Sequence, residues 1–294
     1  MGEKNLLIID GFNLLSRAYF ATAYNKTEDQ LTRNRSGQYI NALRVFFQKL
    51  YNLINEHHVN HVAIAWDIKR EETERRQKYD FYKASRNELP MPLIQQYETL
   101  TMILEQLGIV QLTIPPHEAD DVIGSLAKKW SEKPLGHCYI YSNDKDLLQL
   151  LNEHTTQIIA QKRNEMLYTV NHFKADYQIE THQWIDVKAL LGDTSDNIPG
   201  VAGIGQKSAL PLIQHYQSIE NLYQTLPNID AKFNRCRKKL IAGELSAKIS
   251  KDLATINCDI GLFVDFELEQ LYYSPKSNYV NDVLAELDIR IRMS

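Results

Sequence analysis

"NLLIIDG", residues 5–11, is an apolar run that ends on an aspartate and a glycine. Four consecutive apolar residues, Leu6 to Ile9, with no polar alternation read as a strand covered on both faces, the kind found inside a parallel sheet. Outward from it the pattern repeats. Residues 38–56 place Ile40, Leu43, Phe47, Leu50 and Ile54 at helical spacing, and "HVAIAW" (61–66) is a second strand. A helix over 91–107 stops at Gly108. "IVQLTI" (109–114) is a third strand, followed by a helix over 117–130 entered through Pro115-Pro116. "HCYIYS" (137–142) is a fourth strand, with a short helix from 145. Strand and helix in turn predict an α/β fold, a mostly parallel central sheet flanked by helices. From about residue 182 short helices with glycine punctuation replace the strands. The expected division is therefore 1–180, an α/β core, and 181–294, a helical subdomain with a C-terminal packing segment.

The chain has 294 residues, 44% hydrophobic and 24% charged, which suits a globular protein with a sizeable core. Its longest apolar runs are far too short to span a bilayer, and no secretory pattern opens the chain, so a cytoplasmic protein without a membrane partner is expected. Cys138, Cys236 and Cys258 are too few and too scattered for a disulfide framework or a thiolate zinc site. The formal charge of -4 argues at first against a nucleic-acid partner.

The acids, however, are not spread evenly. Strand one runs into Asp10, strand two into Asp67, strand three over the prolines into Glu118, Asp120 and Asp121, and strand four into Asp144 and Asp146. Asp193 and Asp196 follow in "LLGDTSDNIPGVAGIGQKSA" (190–209). Singly, each has a local explanation as a helix cap, first-turn residue or turn former. Their coincidence at strand carboxyl ends, where α/β sheets bind ligands, has none. Nine carboxylates in one cleft repel each other unless cations are present, and hard divalent ions are the natural remedy. Two or more magnesium ions, with manganese able to substitute, would make the cleft a phosphodiester-hydrolysing site. Setting those nine aside leaves 28 acidic against 33 basic residues, a balance of +5 that admits nucleic acid.

Gly203-Ile204-Gly205 with Lys207 and Ser208 lacks the spacing of a Walker loop and follows no strand, so it is not a dinucleotide fingerprint. A helix C-cap and turn would explain it. With helix on both sides it also forms a helix-hairpin-helix, over about 190–216, whose amides can hold a DNA phosphate without reading sequence.

"LLIIDGFNLLSRAYFA", "AIAWD", "RRQKYDFYKASR", "PPHEADDVIGSLAKK", "YSNDKDLLQLL" and "GDTSDNIPGVAGIGQKSA" resemble, in order and spacing, the bacterial 5′ nuclease family over most of residues 5–260. That family includes the 5′-3′ exonuclease domain of DNA polymerase I and stand-alone flap endonucleases, and the chain length matches a stand-alone member. The resemblance implies a PIN-like, resolvase-like core, a helix-hairpin-helix (H3TH) subdomain and a helical arch at about 69–92. It implies a first metal at Asp67, Glu118 and Asp120 with Asp10 close by, and a second at Asp144, Asp146, Asp193 and Asp196, with Asp121 a weaker candidate. Arg75, Tyr79, Tyr82, Lys83 and Arg86 match the arch, and their spacing gives one helical face suited to single-stranded nucleic acid. Lys83, Tyr82, Arg17 and Asp67 are the expected catalytic set, Lys83 by stabilising charge on the scissile phosphate. Gly203, Gly205, Lys207 and Ser208 would grip duplex, with a potassium ion on backbone carbonyls of the hairpin.

The expected function is a structure-specific 5′ nuclease, a monomer acting on DNA with a 5′ flap, nick or single-stranded 5′ end, including RNA primers in RNA–DNA hybrids. A PIN-like ribonuclease shares the strand-end acids, and a non-catalytic binder of branched DNA shares the hairpin. A haloacid-type phosphatase is excluded, because Phe12 stands where that chemistry needs a second aspartate.

Overall fold

The computed structural model describes residues 4–133, 135–162 and 164–292. Six strands form one sheet: β1 (Leu6–Asp10), β2 (His61–Ala65), β3 (Val110–Leu112), β4 (Cys138–Tyr141), β5 (Thr155–Ala160) and β6 (Glu165–Tyr168), in the order β3-β2-β1-β4-β5-β6. All pairs are parallel except β5 with β6. β1 is central, as its apolar run implies. Its residues alternate between faces. Leu7 and Ile9 join Val62 and Ile64 in one core cluster, Leu6 and Ile8 join Ala63 and Ala65 in another, and all are fully or almost fully buried.

Between strands run α1 (Gly11–Ala23), α2 (Asn41–Glu56), α3 (Glu74–Lys78), α4 (Met91–Gln106) and α5 (Ala119–Ser131), and α6 (Val170–Tyr177) follows β6. The first core includes residues of α1, α2 and α4, and the second those of α5. Helix α1 was not expected. Asp10 closes β1 and, in the same step, caps α1 by accepting from the Asn13 amide at 3.1 Å, so strand passes into helix without a loop. Gly11 makes that possible: a Cβ there would lie 2.5 Å from the Trp66 ring. The β5–β6 hairpin was also unread.

The second unit contains α7 (Trp184–Leu191), α8 (Gln206–Tyr216), α9 (Ile219–Thr225), α10 (Asn234–Ala242) and α11 (Glu244–Ala254), and its core is built from Val187, Leu190, Leu212, Leu222 and Leu240 among others. The chain then returns to the first unit. Ile256, Ile260, Phe263 and Leu271 pack on the α5 face of the sheet. Helix α12 (Ser277–Ala285) places Val280, Val283 and Leu284 in the other core, and the buried Tyr273 hydroxyl lies 2.5 Å from that of Tyr51. The segment beyond 256 thus packs on the α/β core rather than extending the helical unit.

The chain leaves β1 toward β2 and β3, then crosses back to β4 on the other side of β1. That reversal puts a crevice at the carboxyl ends of β1 and β4.

Candidate active site

At the crevice the Ser142 hydroxyl donates to Asp10 Oδ2 at 2.9 Å, tying the ends of β4 and β1 together. Asp144 is held beside them by its amide on Ser142 Oγ (3.0 Å), and its Oδ1 accepts from the Asp146 amide (2.8 Å). Asp67 Oδ1 accepts from the Ala119 amide at 2.9 Å, locking the end of β2 to the start of α5. Glu118 is the N-cap of α5, and Asp120 and Asp121 sit in its first turn. Asp193 and Asp196 lie on the loop between α7 and α8. That loop folds tightly because Gly192 (φ +69) and Gly200 (φ +59) adopt conformations that glycine favours and pack so closely that a Cβ on either would meet backbone at about 2.5 Å.

The nine acids divide by their partners. Asp10, Asp67, Asp120 and Asp144 form no ion pair among the described residues. The other five do. Glu118 receives Lys83 Nζ (2.6 Å), Arg75 (3.1 Å) and the Tyr82 hydroxyl (3.0 Å). Asp121 takes both arms of Arg75 (2.6 and 2.7 Å). Lys188 Nζ lies 2.8 Å from Asp146 and 2.8 Å from Asp193, and Asp196 takes Arg86 at 2.6 Å.

The charges respond accordingly. Burial first, then the Asp67 charge, raises Asp10 to about 7 despite hydrogen bonds from Asn13 and Ser142. Burial and the charges of Asp144, Asp10 and Asp67 push Asp120 well above the usual carboxylate range. Burial also raises Asp146, with Asp144, to about 6. In Asp193 burial is overridden by hydrogen bonds from Lys188 and Ser195, which bring it down to about 2. Burial would lower Lys83, yet Tyr82, Glu118, Asp67 and Asp196 hold it well above its ordinary value, so it stays charged.

Several expectations need correction. The arch residues do not share a helical face: α3 ends at Lys78, Tyr79 is extended, and Lys83 has φ +52. Without an apolar stripe the segment is shaped by charge instead. Arg70 donates to the carbonyls of Lys83 (3.0 Å) and Arg86 (3.1 Å), and Arg76 to that of Tyr82 (3.2 Å). Tyr82 is only 3% exposed and packs with Ile198 and Leu253, so here it offers its hydroxyl to Glu118 and no ring face to a base. Arg75 is a strut to Glu118 and Asp121, not an exposed DNA contact. Asp121 also accepts from the amides of Glu118 (3.1 Å) and Asn257 (2.8 Å), which leaves it as support for α5 rather than a metal ligand. Tyr79 is partly exposed and donates to Asp252 at 2.9 Å. Arg17 lies exposed on α1, paired with none of the nine acids among the described residues.

Gly205 is the N-cap of α8 with open space on its Cα, and Lys207 and Ser208 stand in the first turn. Gly203 (φ +78) turns the loop into that helix, and its carbonyl accepts from Lys239 at 2.8 Å. Supporting residues escaped the sequence reading. Gln157 donates to the carbonyls of Ser142 (2.9 Å) and Asp144 (2.6 Å), and Asn143 pairs with the backbone of Ala160 at 2.9 and 3.0 Å. No local pattern marks Gln157; its role depends on β5 pairing with β4.

Among the described residues no three ligating side chains already converge as a finished metal cage. The donors are nevertheless all oxygen, as hard divalent ions require. The Asp10 and Asp120 carboxylates are raised by burial first and by their acidic neighbours second, and a bound divalent ion would offset both effects. No helix among the described residues is long and apolar enough to cross a membrane.

Oxygen donors collected at a sheet switch point, one loop away from a glycine-led helix start, suit hydrolysis of phosphate esters and place the chain among α/β nucleases. Family models agree: residues 5–178 match the N-terminal resolvase-like domain of 5′-3′ exonucleases, and residues 179–278 their C-terminal SAM fold. A 5′-3′ exonuclease of Halalkalibacterium halodurans is 57% identical over 294 residues, covering 100% of this chain and 97% of that protein. One from Bacillus subtilis is 34% identical, covering 89% and 86%. DNA polymerase I of Caldicellulosiruptor bescii is 38% identical over 89% of this chain, which spans 30% of that protein. The chain belongs to the 5′-3′ exonuclease family and is a nuclease of the hydrolase class. Its fold is shared with T5 5′-exonuclease bound to zinc (TM-score 0.69, 22% identity, 97% and 98% covered) and with flap endonuclease-1 of Methanococcus jannaschii (TM-score 0.54, 17% identity, 97% and 93% covered).

Proposed function

We propose that this nuclease cuts DNA at 5′ flaps, nicks and single-stranded 5′ ends, leaving a 5′-phosphate and a 3′-hydroxyl, and so removes flaps and RNA primers in replication and repair. The observation that carries the reading is the set of four acids, Asp10, Asp67, Asp120 and Asp144, near the switch point that form no ion pair among the described residues. Magnesium, or manganese in its place, bound to that set with Glu118, and at the Asp146, Asp193 and Asp196 side, would supply Lewis acidity and an activated water.

The chain's own residues do the rest. Asn13, Ser142, Ala119 and the Asp146 amide orient the carboxylates by hydrogen bonds. Lys83, whose charged form its acidic neighbours favour and which lies 2.6 Å from Glu118, would stabilise charge on the scissile phosphate. Arg86, Tyr79 and the partly exposed Phe81 line the approach for single strand. Gly203, Gly205, Lys207 and Ser208 hold a duplex phosphate at the start of α8, with potassium on carbonyls of the loop that Lys239 leaves free. Residues 1–180 would thus carry most of the chemistry, joined by Asp193 and Asp196 from the loop after α7, and the helices after 181 the duplex grip. T5 flap endonuclease in a pseudo-enzyme-product complex with DNA and metal ions, 20% identical with TM-score 0.67, shares the fold on which this reading rests.

Asp144→Asn is expected to abolish cleavage of a 5′-flap DNA while leaving metal-independent flap binding intact. Unchanged cleavage, or faster cutting of single-stranded RNA than of flap DNA, refutes the proposal.

A further inference from the structure

Among the described residues, two of the rim acids pair with a cation that belongs to neither the arch nor α3. Lys188, on α7, is 9% exposed; its Nζ donates to Asp193 Oδ2 and makes an ion pair with Asp146 Oδ1, 2.8 Å from each. Both ends of this bridge are fixed. Asp146 follows the Asp144 turn at the end of β4, and Asp193 spends its other oxygen on the Ser195 amide (2.9 Å) and hydroxyl (2.6 Å). The lysine itself is pinned by α7, whose Trp184 Nε1 donates to the Lys145 carbonyl at 2.8 Å and whose Lys188 carbonyl accepts from Gly192 at 2.8 Å. A divalent ion ligated by both acids, at about 2.0–2.1 Å for magnesium, needs the space that this ammonium fills. Asp10, Asp67, Asp120 and Asp144, by contrast, form no ion pair among the described residues.

We propose that Lys188 is a positioning residue that acts as the resident cation of the Asp146–Asp193 pair, so that the chain binds one divalent ion tightly at the Asp10–Asp120 side and a second only weakly. Because Asp146 belongs to the sheet domain and Lys188 and Asp193 to the helical unit, tight occupation of the second side requires this inter-unit bridge to open. The inference rests on the metal reading of the rim given above.

The test is the binding of manganese alone to the metal-free full chain at neutral pH, counted by electron paramagnetic resonance and by calorimetry. The parent is expected to bind one ion tightly and a second weakly. Lys188→Met and Lys188→Gln are each expected to tighten the second ion roughly tenfold or more, the scale on which one partner of a ligating group changes metal affinity. Both variants should melt below the parent without manganese and recover with it, whereas Lys188→Arg, which keeps the charge, should retain the parent's two unequal affinities. Two ions of equal affinity in the parent, or a second ion no tighter in either neutral variant, overturns the inference. Asp120→Asn separates the two readings: if it leaves the tight ion unaffected, the metal assignment of the rim has failed, whatever Lys188 does.

Discussion

In the crevice two sets of acids stand in contrast: Asp10, Asp67, Asp120 and Asp144 are held by neutral donors at most among the described residues, whereas Glu118, Asp121, Asp146, Asp193 and Asp196 each touch a lysine or an arginine. The residue types are the same and the sheet end is shared. What differs is the contact with counter-charge: the paired acids touch cations from α3, the arch and α7, whereas among the described residues the unpaired ones touch none and feel Lys83 only from beyond ion-pair distance. Uncompensated charge in a partly buried cleft is costly to the folded state and favours capture of a divalent ion. Structural stability and catalytic capacity therefore sit on different acids.

If this contrast holds, Asp120→Asn should lower kcat on a 5′-flap substrate roughly a thousandfold or more, because it removes charge from the unpaired set. A residual rate within tenfold of the parent would place the chemistry elsewhere. Arg75→Met should act on the other account. It strands Glu118 and Asp121 without their guanidinium and is expected to cost on the order of 3 kcal/mol, lowering the melting temperature by roughly 6–12 °C. A variant that melts with the parent would mean that the strut is dispensable.

Asp10 gives a smaller effect with a definite sign. Its folded pKa, about 7, lies above the usual 3.8, so between these values the folded state keeps a proton that the unfolded state releases, and stability declines as pH rises through that window. In chelator, Asp10→Asn should therefore be more stable than the parent above pH 7, by on the order of 1–3 kcal/mol, with the difference vanishing toward pH 4. Melting curves across that range check it, and an excess that grows toward acid reverses the sign. The smallest change is expected at the exposed Lys78–Asp252 pair: Asp252→Asn should leave the melting temperature where it was.

How much of this was legible depended on the range of the interaction. β1 to β4 and α2, α4 and α5 follow from runs and periods within a dozen residues, and their observed ends lie within a few positions of those expected. Helix α1 was legible in Leu14, Leu15 and Ala18, but the glycine after Asp10 concealed it as a strand terminator. The arch misled for the opposite reason. Its residues recur at helical spacing, yet Arg70 and Arg76 bind its carbonyls and hold it in turns. The identity of the rim acids was readable from strand ends. Which of them are free was not, since Arg75 reaches Asp121 across 46 positions and Lys188 reaches Asp146 across 42.

The sequence by itself determined the sheet core, the carboxylates that end its strands and the glycine-led start of α8, because apolar period, strand termination and helix capping are settled among near neighbours. Only the tertiary structure decided which carboxylates are neutralised by the protein and which are left exposed to one another. Ion pairing falls steeply with distance, and distances between residues so far apart in the chain exist only once the sheet, the arch and the helical unit have packed.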